Sequence, residues 1–280
     1  MVVKLKGENR IRKLRRIADE FTSRIASYEG VAGIAFHGAL TRGFADEFSD
    51  IDIMIFLSKK DTRLRKHICD EGIKEERLSR TNMDLEVHFL EEFKKVKWGE
   101  AEKWDYSKAT IVYDPKGEIS EVFNQKLRVP KAYWLKRIVI CSEYLKWYCC
   151  PVKEDVDTMA KVWIKRGDLI SAHYCLNYGI DLLVRVIFAL NREFLPAPKW
   201  RMFYSYKLRW LPEDYEKLVG EIIKIKTLSA KEVNRRLKAI GGIWCQVLPK
   251  IREETGLTPE LICKYYVKRT LHQPWIPSYH

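Results

Sequence analysis

Two segments decide the fold of this chain: His37-Gly38-Ala39-Leu40-Thr41-Arg42-Gly43, and then Ser49-Asp50-Ile51-Asp52-Ile53-Met54-Ile55-Phe56. The first is a glycine turn and the second a hydrophobic strand that opens on two aspartates. Side chains alternate faces along a strand, so Asp50 and Asp52 point one way while Ile51, Ile53 and Ile55 point into a core. Two carboxylates side by side repel unless a cation lies between them. Hard oxygen ligands of that kind suit Mg²⁺, which is commonly held by one or two carboxylates together with substrate phosphates. A bare Asp-x-Asp is more often a pair of solvated aspartates. The Gly-x-x-x-x-Gly turn just upstream shifts the balance toward a metal and phosphate site.

Outward from this segment the pattern mixes helix and strand. Residues 8–28 read as an amphipathic helix, with Ile11, Leu14, Ile17, Phe21 and Ile25 at helical spacing. Residues 31–36, 51–57, 83–90 and 110–113 read as strands. Residues 61–80 and 91–104 read as helices, and Asp114-Pro115-Lys116-Gly117 as a turn. In the strand at 83–90, Asp84, Glu86 and His88 share the polar face, so either carboxylate could supply a third ligand. After Pro130 strand signals vanish. Apolar helices are expected at 131–149, 155–165, 168–191, 213–225 and 230–254, with Pro196, Pro198 and Pro212 as breakers. The expected class is α+β: a mixed-sheet domain at 1–127, then an all-α helical bundle at 128–280.

Composition bounds the rest. At 46% hydrophobic and 32% charged residues over 280 positions, the chain is globular. No uninterrupted apolar run reaches the roughly 18 residues of a membrane span, and no apolar signal core follows the basic N-terminus. The seven cysteines form no Cys-x-x-Cys pair. Reduced core thiols in a cytoplasmic protein are expected, rather than zinc or disulfides. The net charge is +13, and residues 126–280 carry all of it, with 28 Lys+Arg against 15 Asp+Glu. That half should favour polyanions such as a nucleoside triphosphate, with nucleic acid less favoured. The basic run from Lys4 to Arg16 reads as the solvated face of the first helix.

The stretch from Gly38 to Phe56 resembles the signature of nucleotidyltransferases of the DNA polymerase β superfamily, especially the minimal and antibiotic-modifying types. Gly38, Arg42, Gly43, Ser49, Asp50 and Asp52 match it. Leu85-Glu86-Val87-His88-Phe89 is similar to a strand of the lincosamide nucleotidyltransferases. The resemblance implies metal ligands and catalytic carboxylates at Asp50, Asp52 and Glu86, with Asp84 in reserve for Glu86. It implies nucleotide contacts from Gly38, Ala39, Arg42 and Ser49. Two Mg²⁺ ions and ATP or another NTP are implied as cofactor and co-substrate, with AMP transfer to a hydroxyl of a small-molecule acceptor and release of pyrophosphate. A protein- or RNA-modifying transferase, or a nucleotide-binding module without turnover, are the alternatives. Ala39 stands where the family has serine, which removes a hydrogen bond worth about 1 kcal/mol.

The helical half adds His173, Asn177, Asp181 and Arg185, spaced four apart on one face. They read equally as a structural stripe or as the lining of a cleft. In the second case Asp181 is a candidate general base and Arg185 a phosphate contact. The segment Asn191–Trp200 resembles an element of these transferases' helical domains and places Lys199 as a candidate triphosphate contact. Trp200 and Tyr204 are candidates for base stacking, although such aromatics are more often core.

Overall fold

The computed structural model describes residues 5–150, 156–262 and 264. The chain divides into two compact units that part between Val129 and Pro130. The first is built on a four-stranded sheet of order β3-β2-β1-β4. Its elements run α1 (Ile11–Ala26), β1 (Val31–Phe36), α2 (Ala39–Arg42), β2 (Ile51–Leu57), α3 (Thr62–Ser79), β3 (Met83–Phe89), α4 (Leu90–Phe93), α5 (Glu100–Tyr106), β4 (Thr110–Tyr113) and α6 (Glu118–Leu127). Strand β1 pairs antiparallel with β2 and β4, while β2 and β3 run parallel.

Alternation along β2 separates two cores. Ile51, Ile53, Ile55 and Leu57 pack with Leu14, Phe21 and Ile25 of α1 and Ile68 of α3. Met54 and Phe56 face the other way, into an aromatic layer of Phe93, Trp98, Tyr106 and Phe123. Asp52 belongs to this second face by parity, so the carboxylates stand at the end of the aromatic layer. The single helix expected at 91–104 is broken into α4 and α5. Gly99 interrupts it, and its N–H donates to the Glu102 carboxylate at 2.5 Å, which starts a new helix.

The second unit is helical in its described residues: α7 (Lys131–Tyr148), α8 (Met159–Lys165), α9 (Leu169–Leu190), α10 (Pro198–Ser205), α11 (Tyr215–Ile223) and α12 (Ala230–Thr255). Helix α10 falls where the prolines read as breakers. Pro198 occupies the first turn, where a missing N–H costs nothing. Helix α9, at 22 residues, is long and apolar enough to span a membrane. Here most of it is buried inside the unit, and α7, α8, α10 and α12 pack around it. Asp168 starts α9 by accepting the Ser171 N–H at 3.0 Å.

Among the described residues of this unit, one charged side chain is wholly buried. Arg236 of α12 is 0% exposed. It donates to the Ile222 carbonyl, to Asn177 Oδ1 at 2.6 Å and to His173 Nδ1 at 2.7 Å. Burial and the neighbouring guanidinium hold the His173 pKa below its ordinary value, which keeps the imidazole neutral and able to accept. Half of the polar stripe on α9 is thus a clamp between helices. Arg236→Leu should strand two buried acceptors, the Ile222 carbonyl and His173 Nδ1, at about 1–3 kcal/mol each. The expected result is a loss of at least about 2 kcal/mol, read as a lower urea midpoint at unchanged slope.

Candidate active site

The site forms where β1 ends and β2 begins. Past Phe36, the chain turns at Gly38 with φ 60° and ψ −137°, a conformation that favours glycine. A second constraint is steric: a Cβ on Gly38 would fall 1.6 Å from Asp52 Oδ2. The Asp52 carboxylate lies directly against the Gly38 α-carbon, and the His37 N–H donates to the Asp52 carbonyl at 3.3 Å. Burial, and then the charge of Asp50, push the Asp52 pKa above its ordinary value, against the pull of His37 and Arg42.

Asp105 of α5, which the sequence reading passed over, organises the other side. Its Oδ2 lies 2.8 Å from His37 Nδ1 and its Oδ1 accepts from Arg42 at 2.9 Å. It also accepts the Gly38 N–H. Burial would raise its pKa, but the bonds and charges of His37 and Arg42, with Gly38, hold it below the usual carboxylate range. His37 is 5% exposed. Burial opposes its protonation, yet the bond to Asp105 and the charges of Asp52, Asp105 and Glu86 outweigh that and raise its pKa. Its Nε2 is buried without a hydrogen bond, 3.6 Å from Glu86 Oε1. The only sequence signal for Asp105 was a charged residue between two aromatics, Trp104 and Tyr106, and that pattern has no fixed meaning.

Glu86 is engaged within the first unit. It meets His88 Nε2 at 3.0 Å and accepts from the Tyr106 hydroxyl at 3.4 Å. The His88 bond is the main reason its pKa lies below the ordinary value, against burial. Strand register places Asp84, not Glu86, directly beside Asp52, whereas Glu86 pairs with Met54. Among the described residues no group of three His, Cys, Asp or Glu side chains stands in metal-ligating arrangement. Asp50, Asp52 and Glu86 therefore do not close into a preformed three-ligand centre, because Glu86 turns toward His88 and Tyr106. The donor chemistry of Asp50 and Asp52 does fit a hard divalent cation. They are adjacent carboxylates, and one of them is held uncomfortably ionised by burial and by the other.

Two expected nucleotide contacts take structural places. Ser49 Oγ donates to Asp46 Oδ1 at 3.1 Å and accepts the Asp46 N–H at 3.0 Å, which braces the loop before β2. The Ala39 methyl is buried in the α1 core, so the position is apolar by packing and only its backbone can meet a ligand. In the helical unit, Asp181 accepts from Arg185 Nε at 2.7 Å and, on its other oxygen, from Arg201. Both oxygens are occupied by guanidinium groups, which argues against Asp181 as a general base. Lys199 is exposed in the first turn of α10. The Trp200 and Tyr204 rings are 6.0 Å apart, edge to face.

The strain on Asp52 has a measurable consequence. A carboxyl whose pKa is raised on folding disfavours the folded state once both states are ionised, and not at all where both are protonated. Asp52→Asn should therefore stabilise the metal-free protein at pH 7, read as a higher melting temperature in EDTA. The gain should fade as the pH falls toward the ordinary value of 3.8. Equal melting temperatures of the two proteins at pH 7 would contradict the reading.

Residues 12–131 match a family model described as a nucleotidyltransferase domain. Residues 104–201 match a second model, described as a domain of unknown function. No curated protein matches the chain. Among solved structures, a nucleotidyltransferase-like protein from Exiguobacterium sibiricum 255-15 is similar at 12% identity. That likeness covers 94% of this chain and 82% of the other, with a TM-score of 0.42, too loose to assign any residue. Gly38, Asp50 and Asp52 all lie inside the matched segment, so residues 12–131 are a nucleotidyltransferase domain.

Proposed function

We propose that this nucleotidyltransferase moves AMP from ATP onto a hydroxyl of a small-molecule acceptor, with Mg²⁺, and releases pyrophosphate. The observation that carries this reading is the Asp52 carboxylate, seated against Gly38 and close enough to Asp50 for the two charges to oppose each other. In the transfer, the acceptor hydroxyl gives its proton to solvent, its oxygen bonds to the α-phosphorus, and the bond to the bridging oxygen breaks as pyrophosphate leaves. Divalent metal held by Asp50 and Asp52 would offset the charge of the triphosphate and of the attacking and leaving oxygens.

The chain's own groups divide the remaining work. Asp52 in β2 and Asp50 just before it would hold the cation. Arg42 and the Gly38 N–H offer donors to phosphate oxygens. In the helical unit Lys199 is exposed on α10, and Asp181 orients Arg185 and Arg201 rather than taking a proton. Glu86 reads as a neighbouring carboxylate that His88 and Tyr106 hold in place until the cation is bound. A helical half with an excess of 13 positive charges favours a neutral or anionic acceptor over a polycation. The described cysteines are free, in keeping with a cytoplasmic location.

The test is pyrophosphate release from each NTP with Mg²⁺ and pooled hydroxyl acceptors. ATP should support turnover, EDTA should abolish it, and added Mg²⁺ should restore it. Asp50→Asn and Asp52→Asn should each lower turnover roughly a hundredfold to a thousandfold. Near-wild-type turnover by a folded Asp52→Asn protein would sink the assignment.

A further inference from the structure

The donors expected to meet phosphate already hold an anion. Asp105 takes the Gly38 N–H, the Arg42 guanidinium and His37 Nδ1 at once, with the two side-chain contacts at 2.9 and 2.8 Å. All three donors lie on the turn that seats Asp52. A carboxylate and a phosphate ask for the same thing, convergent N–H groups and positive charge. The geometry points to Asp105 as an internal competitor: its carboxylate fills the phosphate cradle, and a triphosphate must displace it to bind.

This inference rests on the reading of the site as one for nucleoside triphosphate, and it adds a gate to that site. Three observations support displacement rather than a fixed brace. The Asp105 carboxylate is not sealed in, since its side chain is 23% exposed. The anion is supplied by α5, whereas the donors sit on the loop between β1 and β2, so the two sides can part without breaking strand pairing. His37 Nε2 is buried without a hydrogen bond, 3.6 Å from Glu86 Oε1, so Glu86 still faces the imidazole if Nδ1 leaves Asp105. A triphosphate with Mg²⁺ carries more negative charge than one carboxylate, so exchange is favourable once ligand is present. Without ligand, Asp105 balances the charge of Arg42 and His37 in a half-buried site.

The cost of the gate is apparent affinity. A ligand that binds only the open state is weakened by the fraction of molecules that are open. Opening the cradle by substitution should therefore tighten binding.

The probe is inorganic tripolyphosphate, with a non-hydrolysable ATP analogue beside it, titrated onto the full chain with Mg²⁺ by calorimetry. Asp105→Asn and Asp105→Ala should bind both about tenfold more tightly than the wild type, the factor for a cradle open about a tenth of the time. Glu102→Gln removes a charge from the same helix outside the cradle and should leave affinity unchanged. Adding Arg42→Ala to Asp105→Asn should abolish the gain. In the wild type, tripolyphosphate should shift the His37 imidazole resonances as Nδ1 exchanges Asp105 for phosphate, a readout that needs no variant to fold.

Unchanged or weaker binding by both Asp105 variants would overturn the inference and make Asp105 a positioning residue for Arg42. An equal gain from Glu102→Gln would overturn it as a general charge effect. Binding by the wild type without movement of the His37 resonances would overturn it too. In all three cases transfer of AMP would still stand. Absence of tripolyphosphate and analogue binding in every protein, wild type included, would remove the gate together with the reading it rests on.

Discussion

The contact between Asp52 and Gly38 is the constraint on which the rest of this site depends. One residue has no side chain so that the carboxylate of another can lie where a Cβ would be. The contact fixes the spacing between the end of β1 and the start of β2, and antiparallel pairing of the two strands holds it in register, with Phe36 opposite Ile53. It also places the His37 and Gly38 N–H groups at the mouth of the site, where one bonds the Asp52 backbone and the other the Asp105 carboxylate. A larger residue at 38 would strain the backbone and move the carboxylate together.

Much of this was legible in the residues. Alternation through Ile51, Ile53 and Ile55 named the buried face of β2, and the same parity placed Asp52 on the other. Gly38, Arg42, Asp50 and Asp52 are local to one another in sequence, so their spacing alone implied convergence. What was not legible came from longer range. Asp105 is 53 residues past Asp52 in the numbering and reaches the site only because α5 packs beside the end of β1. Ser49 and Ala39 belong to the motif by position, yet the loop and the core claim their side chains. No periodicity reveals that a motif residue has been drawn into packing.

The helical unit shows the same limit from the other side. A row of polar residues four apart on an apolar helix looks identical whether it faces a ligand or another helix. Here His173 and Asn177 hold Arg236, and Asp181 with Arg185 holds Arg201. The deciding partners lie on α10 and α12, in segments whose own patterns carry no mark of the pairing. Burial explains why they are paired. An unpartnered guanidinium in an apolar bundle is far more costly than one bonded on every side.

Charge balance links the two halves of the candidate site. Asp50, Asp52, Glu86 and Asp105 surround His37 and Arg42, so carboxylates outnumber the cations among them. The imbalance is visible in the shifts: His37 is drawn toward its charged form and Asp52 away from its own. A carboxylate cluster of this sign repels a bare triphosphate and welcomes one that arrives with divalent metal. The donors at Gly38 and Arg42 then matter less as a source of attraction than as a place for phosphate oxygens once the metal has neutralised the approach. On the proposed reading, such a site would favour metal-bound over free nucleotide by electrostatics, before any contact to base or sugar.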